Sequence, residues 1–240
     1  TREAFLAAYP PGAVEYRQAT GPRGQYGKWL RTHDIAAQIG DTVFMHAGAA
    51  PLPDTPSVEA LNDRAAKEIA RMDTFLDRLV DARLARPWFR LEDTLAVAAA
   101  EVRWVNGRIT AAKESGTPPD LSGIDIALVR EASEILQVGT WSLLAGEGPL
   151  WYRGYATAPD DALSAPVADL FGRWKIRRLV VAHTPSRDAR IRMRLDGRLF
   201  LIDTGMLAAV YKGQGSALEF SGDRVTAVYA DGTRTPLLPA

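Results

Sequence analysis

The sequence predicts an α+β protein, and three observations carry that expectation. Two apolar runs, Thr42–Met45 and Leu179–Ala182, each lead directly into a histidine, His46 and His183. The stretch between them, residues 55–145, has the three- and four-residue apolar spacing of helices. From residue 190 onward, short β-prone runs are separated by Asp-Gly or Gly-Asp turns. Helices and strands segregated along the chain in this way favour an α+β arrangement.

Taken in order, residues 1–31 are rich in Pro, Gly, Tyr and Arg, with turn signals at Tyr9-Pro10-Pro11-Gly12 and Gly21-Pro22. Gly24–Arg31 leads into a short helix. Ile35–Ile39 and Thr42–Met45 form a hairpin about Gly40-Asp41. Thr55-Pro56 caps a long amphipathic helix carrying Val58, Leu61, Ala65, Ile69, Met72, Leu76 and Leu79. A second helix is expected over Leu91–Glu114 and a third from Ile124 to about Leu144, with Ser115–Gly123 as the loop between them. Val167–Trp174 is expected to be helical and Arg178–Ala182 a buried strand that Pro185 cannot continue. Arg190–Leu195 and Leu199–Ile202 flank an Asp-Gly turn, and Ser216–Phe220, Arg224–Tyr229 and Arg234–Leu238 end the chain as strands.

Composition bounds the function. Lys+Arg and Asp+Glu both number 29, so the net charge is zero and no global field draws the chain to nucleic acid or an anionic membrane. No apolar run reaches the roughly 18–20 residues that span a bilayer. There is no cysteine, which excludes disulfides, thiolate ligands and a cysteine nucleophile. The Ala- and Arg-rich composition suggests a bacterial source, without distinguishing cytoplasm from periplasm.

Two of the three histidines end strands. A neutral imidazole at a strand terminus is a good ligand for zinc, manganese or iron. However, 183 − 46 = 137 residues separate the pair, and a metal site usually has three or four protein ligands. On pattern alone, two histidines hydrogen-bonded near a sheet end are the favoured reading. His33, in a polar context, is expected at the surface. Arg153, between Trp151 and Tyr155 and next to Gly154, offers a rigid donor fork suited to phosphate; alternatively the aromatics are core and Arg153 a solvated charge. Asp203, between an apolar strand and Thr204-Gly205, reads as a ligand, a partner to a ligand histidine, or a turn-capping aspartate.

Asp41–Pro51 resembles the GDT-hydrophobic-HGG-x-x-P block of the calcineurin-like metallophosphoesterases, and Leu179–Pro185 resembles their VVGHTP block. Gly148–Gly154 is similar to their phosphate-arginine segment. Asp196–Met206, with Tyr211-Lys212-Gly213 and Ser216–Glu219, resembles the C-terminal signature of the bacterial Shewanella-like protein phosphatase branch. The resemblance implies an αββα sandwich, two mixed sheets flanked by helices, with residues 1–54 and 146–240 in the phosphoesterase domain and 55–145 a helical insertion. It implies a metal-dependent phosphatase acting on phosphomonoesters, phosphoproteins among the candidates, through two divalent ions (Mn, Fe or Zn). His46 and His183 would ligate the second metal, Arg153 and Tyr211 would face the substrate phosphate, and Asp203 would support the ligands from behind. Two positions depart from the pattern: Ala47 replaces the first glycine of HGG and Ala182 the glycine before His183.

The family's upstream blocks, Asp-x-His, Gly-Asp-x-x-Asp and Gly-Asn-His-Glu, are absent, so the chain matches the C-terminal part and lacks the N-terminal βαβαβ portion. It begins at Thr1 rather than Met, and a missing N-terminal segment of the same protein is an expected partner. With half of the ligands, no nucleophile should be generated. The other class of function is a non-catalytic truncated relative that serves as an anion-binding or protein-interaction domain.

Overall fold

A computed structural model describes residues 2–239, which divide into two compact units. The first unit comprises residues up to Asp34 and Ala66–Trp141; the second comprises Ile35–Ala65 and Ser142 onward. The architecture is α+β. Among the described residues no helix is long and apolar enough to cross a membrane.

The first unit is helical: α1 (Arg2–Ala8), α2 (Ala13–Thr20), α3 (Gln25–Leu30), most of α4 (Val58–Asp81), α5 (Leu91–Ser115) and α6 (Ile126–Ile135). Its core joins Phe75 and Leu79 of α4, Ala98 of α5, and Leu128, Ala132 and Ile135 of α6. Of these, Leu79 belongs to the apolar spacing read from the sequence, whose Met72 and Leu76 pack against this core; the fully buried Phe75 lies outside that spacing. Helix α6 is shorter than expected. It ends at Ile135 and gives way to a 3₁₀ turn at Val138–Thr140, where Gly139 and β-branched Thr140 are poor helix formers. Helices α1 and α2 stand in a region expected to be turn-rich, separated by Pro10-Pro11-Gly12.

Asp93 caps α5 at its third position. It accepts from the Arg90 backbone N–H and Nε, both at 3.0 Å, and from the Tyr9 hydroxyl. Arg90, followed by the Tyr9 bond and against some burial, holds the Asp93 carboxyl down at about 2. A carboxylate that ionises more readily folded than unfolded contributes stability above its ordinary range near 4, which is lost as pH falls toward 2. Acid titration of the wild type should show this loss in the helical signal. Asp93→Asn should show a lower plateau at neutral pH and no such phase, and an unchanged profile would contradict the capping account.

The second unit is built on a five-stranded sheet ordered β1-β2-β3-β5-β4: β1 (Ala36–Ile39), β2 (Thr42–Met45), β3 (Arg178–Val181), β4 (Arg192–Arg194) and β5 (Leu199–Leu201). The three central strands β2, β3 and β5 are parallel; β1 and β4 run antiparallel at the edges. Alternation along the central strands separates two cores. Val43, Leu179, Val181, Leu199 and Leu201 pack with Leu163, Val167, Leu170 and Phe171 of helix α8 (Asp160–Trp174), which follows the single-turn helix α7 (Gly154–Thr157). On the other face Val180, Phe200 and Phe44 meet Val225, Leu218 and Phe220 of a three-stranded antiparallel sheet, β6 (Ser216–Ser221), β7 (Arg224–Tyr229) and β8 (Arg234–Leu238). A four-residue helix, α9 (Ala208–Tyr211), precedes that sheet. On its outer side Ala217, Glu219 and Ser221 are exposed.

Helix α8 starts six residues before Pro166, earlier than a proline-limited expectation allows. Asp160 and Asp161 occupy its first turn, where carboxylates suit the helix dipole, and Leu163 is buried in the sheet core.

Candidate functional site

The parallel strands β2, β3 and β5 deliver their C-terminal ends side by side, and residues just beyond them are His46, His183 and Asp203. In sheets of this kind, side chains that bind ligands gather at the carboxyl ends of the strands. The Ala182 N–H donates to the His46 carbonyl at 2.7 Å, joining β2 and β3 at their last rung. Across that rung His46 Nε2 and His183 Nδ1 share a hydrogen bond of 2.9 Å, as the reading of two hydrogen-bonded histidines near a sheet end expects. The sequence placed these histidines 137 positions apart, and the sheet brings them into contact.

The backbone at His183 is unusual. Its φ is 66°, and the Thr184 N–H donates to the Ala182 carbonyl at 2.8 Å, closing a three-residue turn around it. A non-glycine residue in this region carries strain, and such strain gathers at functional positions. Burial, then the Arg153 guanidinium and the neighbouring His46 ring, push the His183 pKa down, with Asp203 opposing. His183 Nε2 and Ser186 Oγ are both buried without a hydrogen-bond partner among the described residues. Buried polar atoms are rarely left so, and both of these lie in one four-residue loop.

The loop after His46 is fixed firmly. Ala47 N–H donates to the Pro149 carbonyl at 3.0 Å and Ala50 N–H to the Glu147 carbonyl at 3.1 Å. Tyr155, fully buried, donates its hydroxyl to the Ala49 carbonyl at 2.7 Å. Arg173 of α8 donates to the carbonyls of Thr55 and Leu52, both at 2.7 Å. Clipping residues 47–50 to residues 147–149 carries the chain on to Trp151 and Arg153 beside the histidines. Arg153 is exposed and its Nη1 is 3.5 Å from the Thr184 hydroxyl, at the edge of hydrogen-bonding range. Its guanidinium therefore has donors to spare. Of the two flanking aromatics expected in the core, Tyr155 is buried but Trp151 is 48% exposed, standing edge-on to His183 with ring centres 5.4 Å apart.

Ala47 and Ala182 both lack a positive φ, so their methyl groups bring no backbone strain. The position that requires glycine is Gly48, at φ 90°. Asp203 makes the turn expected of a capping aspartate: its Oδ1 accepts from Gly205 N–H at 2.9 Å, and its carbonyl accepts from Ser186 N–H at 2.9 Å. It acts on His183 only through its charge. Tyr211 ends α9, exposed, with its Cβ against Gly205. His33 lies in the helical unit, tilted against Trp29, and is not part of this group. Ser186 was not singled out by sequence, because one serine in a polar loop carries no pattern.

The chemical capacity of this arrangement is limited. Metal–nitrogen bonds of ~2.0–2.1 Å place two ligand nitrogens ~3.0–3.4 Å apart around one ion, close to the spacing of His46 Nε2 and His183 Nδ1. These two nitrogens are hydrogen-bonded to each other, and it is their spacing alone that matches two ligand nitrogens. Among the described residues, however, no three His, Asp or Glu side chains converge for metal binding.

No family model matches the chain. Over 75 residues, 31% of its length, it is 37% identical to an uncharacterised protein of Schizosaccharomyces pombe, of which it covers 22%. A solved structure of the cold-active protein-tyrosine phosphatase of a psychrophilic Shewanella is similar with a TM-score of 0.46 and 17% identity, over 90% of this chain and 46% of that one. A point mutant of a cold-active protein tyrosine phosphatase gives 0.46 and 21% over the same shares. The chain spans less than half the length of those phosphatases and about a fifth of the yeast protein. Likeness this distant transfers no activity.

Proposed function

We propose that this chain is the C-terminal part of a metal-dependent phosphatase that hydrolyses phosphomonoesters, of the calcineurin-like type and its Shewanella-like branch. The observation that carries the proposal is the pair of imidazole nitrogens 2.9 Å apart at adjoining ends of two parallel strands. Arg153, whose charge acts on His183, stands next to them. In this reading His46 and His183 hold one of two divalent ions, with Mn, Fe and Zn as candidates. Arg153 holds the phosphoryl group, Tyr211 borders it, and Asp203 tempers the charge at His183. The ions would supply Lewis acidity at the phosphoryl oxygens. The chain's own residues orient the ester and offset its charge. The remaining ligands and the second outer helical layer of an αββα sandwich belong to a segment bearing the absent motif blocks. The division into 1–54, 55–145 and 146–240 follows from the same proposal.

One observation favours a second reading, an anion-binding or interaction module without turnover: among the described residues no three His, Asp or Glu side chains come together. Metal titration of the chain, followed by a phosphatase assay with manganese in protein carrying the absent blocks, separates the two. The phosphatase reading expects weak binding of one ion to the chain and metal-dependent turnover in the completed protein. Completed protein that stays inactive, or metal uptake indifferent to His46→Ala, would overturn it.

A further inference from the structure

We infer that the opposite end of the five-stranded sheet carries a pocket for a small organic phosphate, formed by Arg177, Arg178 and Arg198. It lies at the N-terminal ends of β3 and β5, away from the strand ends that bear the histidines, and is independent of the phosphatase proposal. The cavity measures about 390 Å³, within the range of small-molecule sites.

Arg178 is the unexpected member. It is 7% exposed, and a buried charge is costly unless its donors are engaged. Its Nη2 donates to the carbonyl of Asp223 at 3.2 Å and to its Oδ1 at 3.3 Å, and its guanidinium carbon lies 5.9 Å from the centre of the Phe220 ring. Arg177 draws on the same Asp223 carboxylate at 3.2 Å and on Asp41 at 3.4 Å. Arg198 lies over the Phe171 ring at 5.0 Å and has no carboxylate partner among the described residues. Asp223 thus serves two guanidinium groups, Asp41 shares Arg177, and Arg198 has no carboxylate partner among the described residues. Asp196, the other acidic residue of the lining, is exposed and pairs with none of them.

One side of the wall, at Leu238 and Pro239, is apolar. Gly197 has φ 81°, and a Cβ there would come within 2.8 Å of the Leu238 methyl groups, so glycine lets the end of β8 close over the 195–198 turn. Leu238 and Pro239 give the cavity a side suited to the carbon skeleton of an ester, and the guanidinium forks suit its phosphoryl oxygens.

The test is an amide NMR titration of the chain with inorganic phosphate and, separately, glycerol 3-phosphate. Saturable shifts at Gly197, Arg198 and Asp223 in the millimolar range are expected, about tenfold weaker in Arg198→Gln and unchanged in Arg153→Gln. Tighter binding of glycerol 3-phosphate assigns the pocket to organic esters; equal binding assigns it to phosphate alone and removes the role of the apolar wall. Arg198→Lys, which keeps the charge and loses the fork, should fall between wild type and Gln. Shifts that fail to saturate, or that vanish with Arg153→Gln and survive Arg198→Gln, would overturn the pocket without touching the phosphatase reading.

Discussion

His183→Ala is expected to lower the affinity of the chain for zinc or manganese by at least about 100-fold. Even residues behind metal ligands are worth 10–100-fold, and a direct ligand is worth no less. With two protein nitrogens at the site, losing one leaves a single imidazole, and turnover in a completed protein should fall with the metal. His33→Ala should bind like wild type, because His33 accompanies Trp29 in the helical unit. The backbone supplies an independent readout. His183 sits at φ 66°, so His183→Gly should lose the metal to the same extent while holding or gaining stability, by up to about 1 kcal/mol. Calorimetric titration and thermal melts on the three variants decide this. Equal loss of metal in His33→Ala and His183→Ala would sink the site.

Gly48→Ala is expected to destabilise the sheet unit by about 2–4 kcal/mol. A Cβ at Gly48 would stand 2.4 Å from Tyr155 Cε2 and 3.1 Å from Val181 Cγ1, with φ at 90°. Tyr155 has little room to yield, being 1% exposed, packed among core residues, and bonded through its hydroxyl to Ala49. Moving its ring would break that bond and disturb the loop that carries His46. Denaturant midpoints followed by a probe in the sheet unit would measure the change, and a loss under about 1 kcal/mol would show that the ring gives way freely.

Local pattern made the strands and the long helices legible. β2, β7 and β8 occupy the expected residues, and α5 runs from Leu91 to Ser115 against an expected Leu91–Glu114. The misses occur where tertiary contacts overrule local signals. Helix α8 passes through Pro166 because its apolar face is covered by the sheet. The third helix stops early at weak helix formers. Short α1 and α2 are individually too brief for periodicity to register; in the fold, α1 leads to Tyr9, which Asp93 of α5 holds. For the site, an apolar strand ending in histidine was the readable sign at both His46 and His183. Their contact depends on parallel pairing between strands far apart in sequence, which no local window contains. Trp151 looked like a core residue and is half exposed; Ser186 became notable only once its unpartnered hydroxyl was placed.

The rung between Ala182 and His46 also bears on how the chain tolerates change in length. The imidazoles are spaced by one inter-strand step, and the loops beside them are clipped within the sheet unit through Leu52, Thr55 and residues 147–149. None of these clips involves a residue between Ala66 and Trp141. Closing a loop costs only ~0.6 kcal/mol more for each doubling of its length. The intervening block can therefore lengthen, shorten or be exchanged with little change in imidazole spacing, which makes this span the natural place for relatives with the same strand ends to diverge.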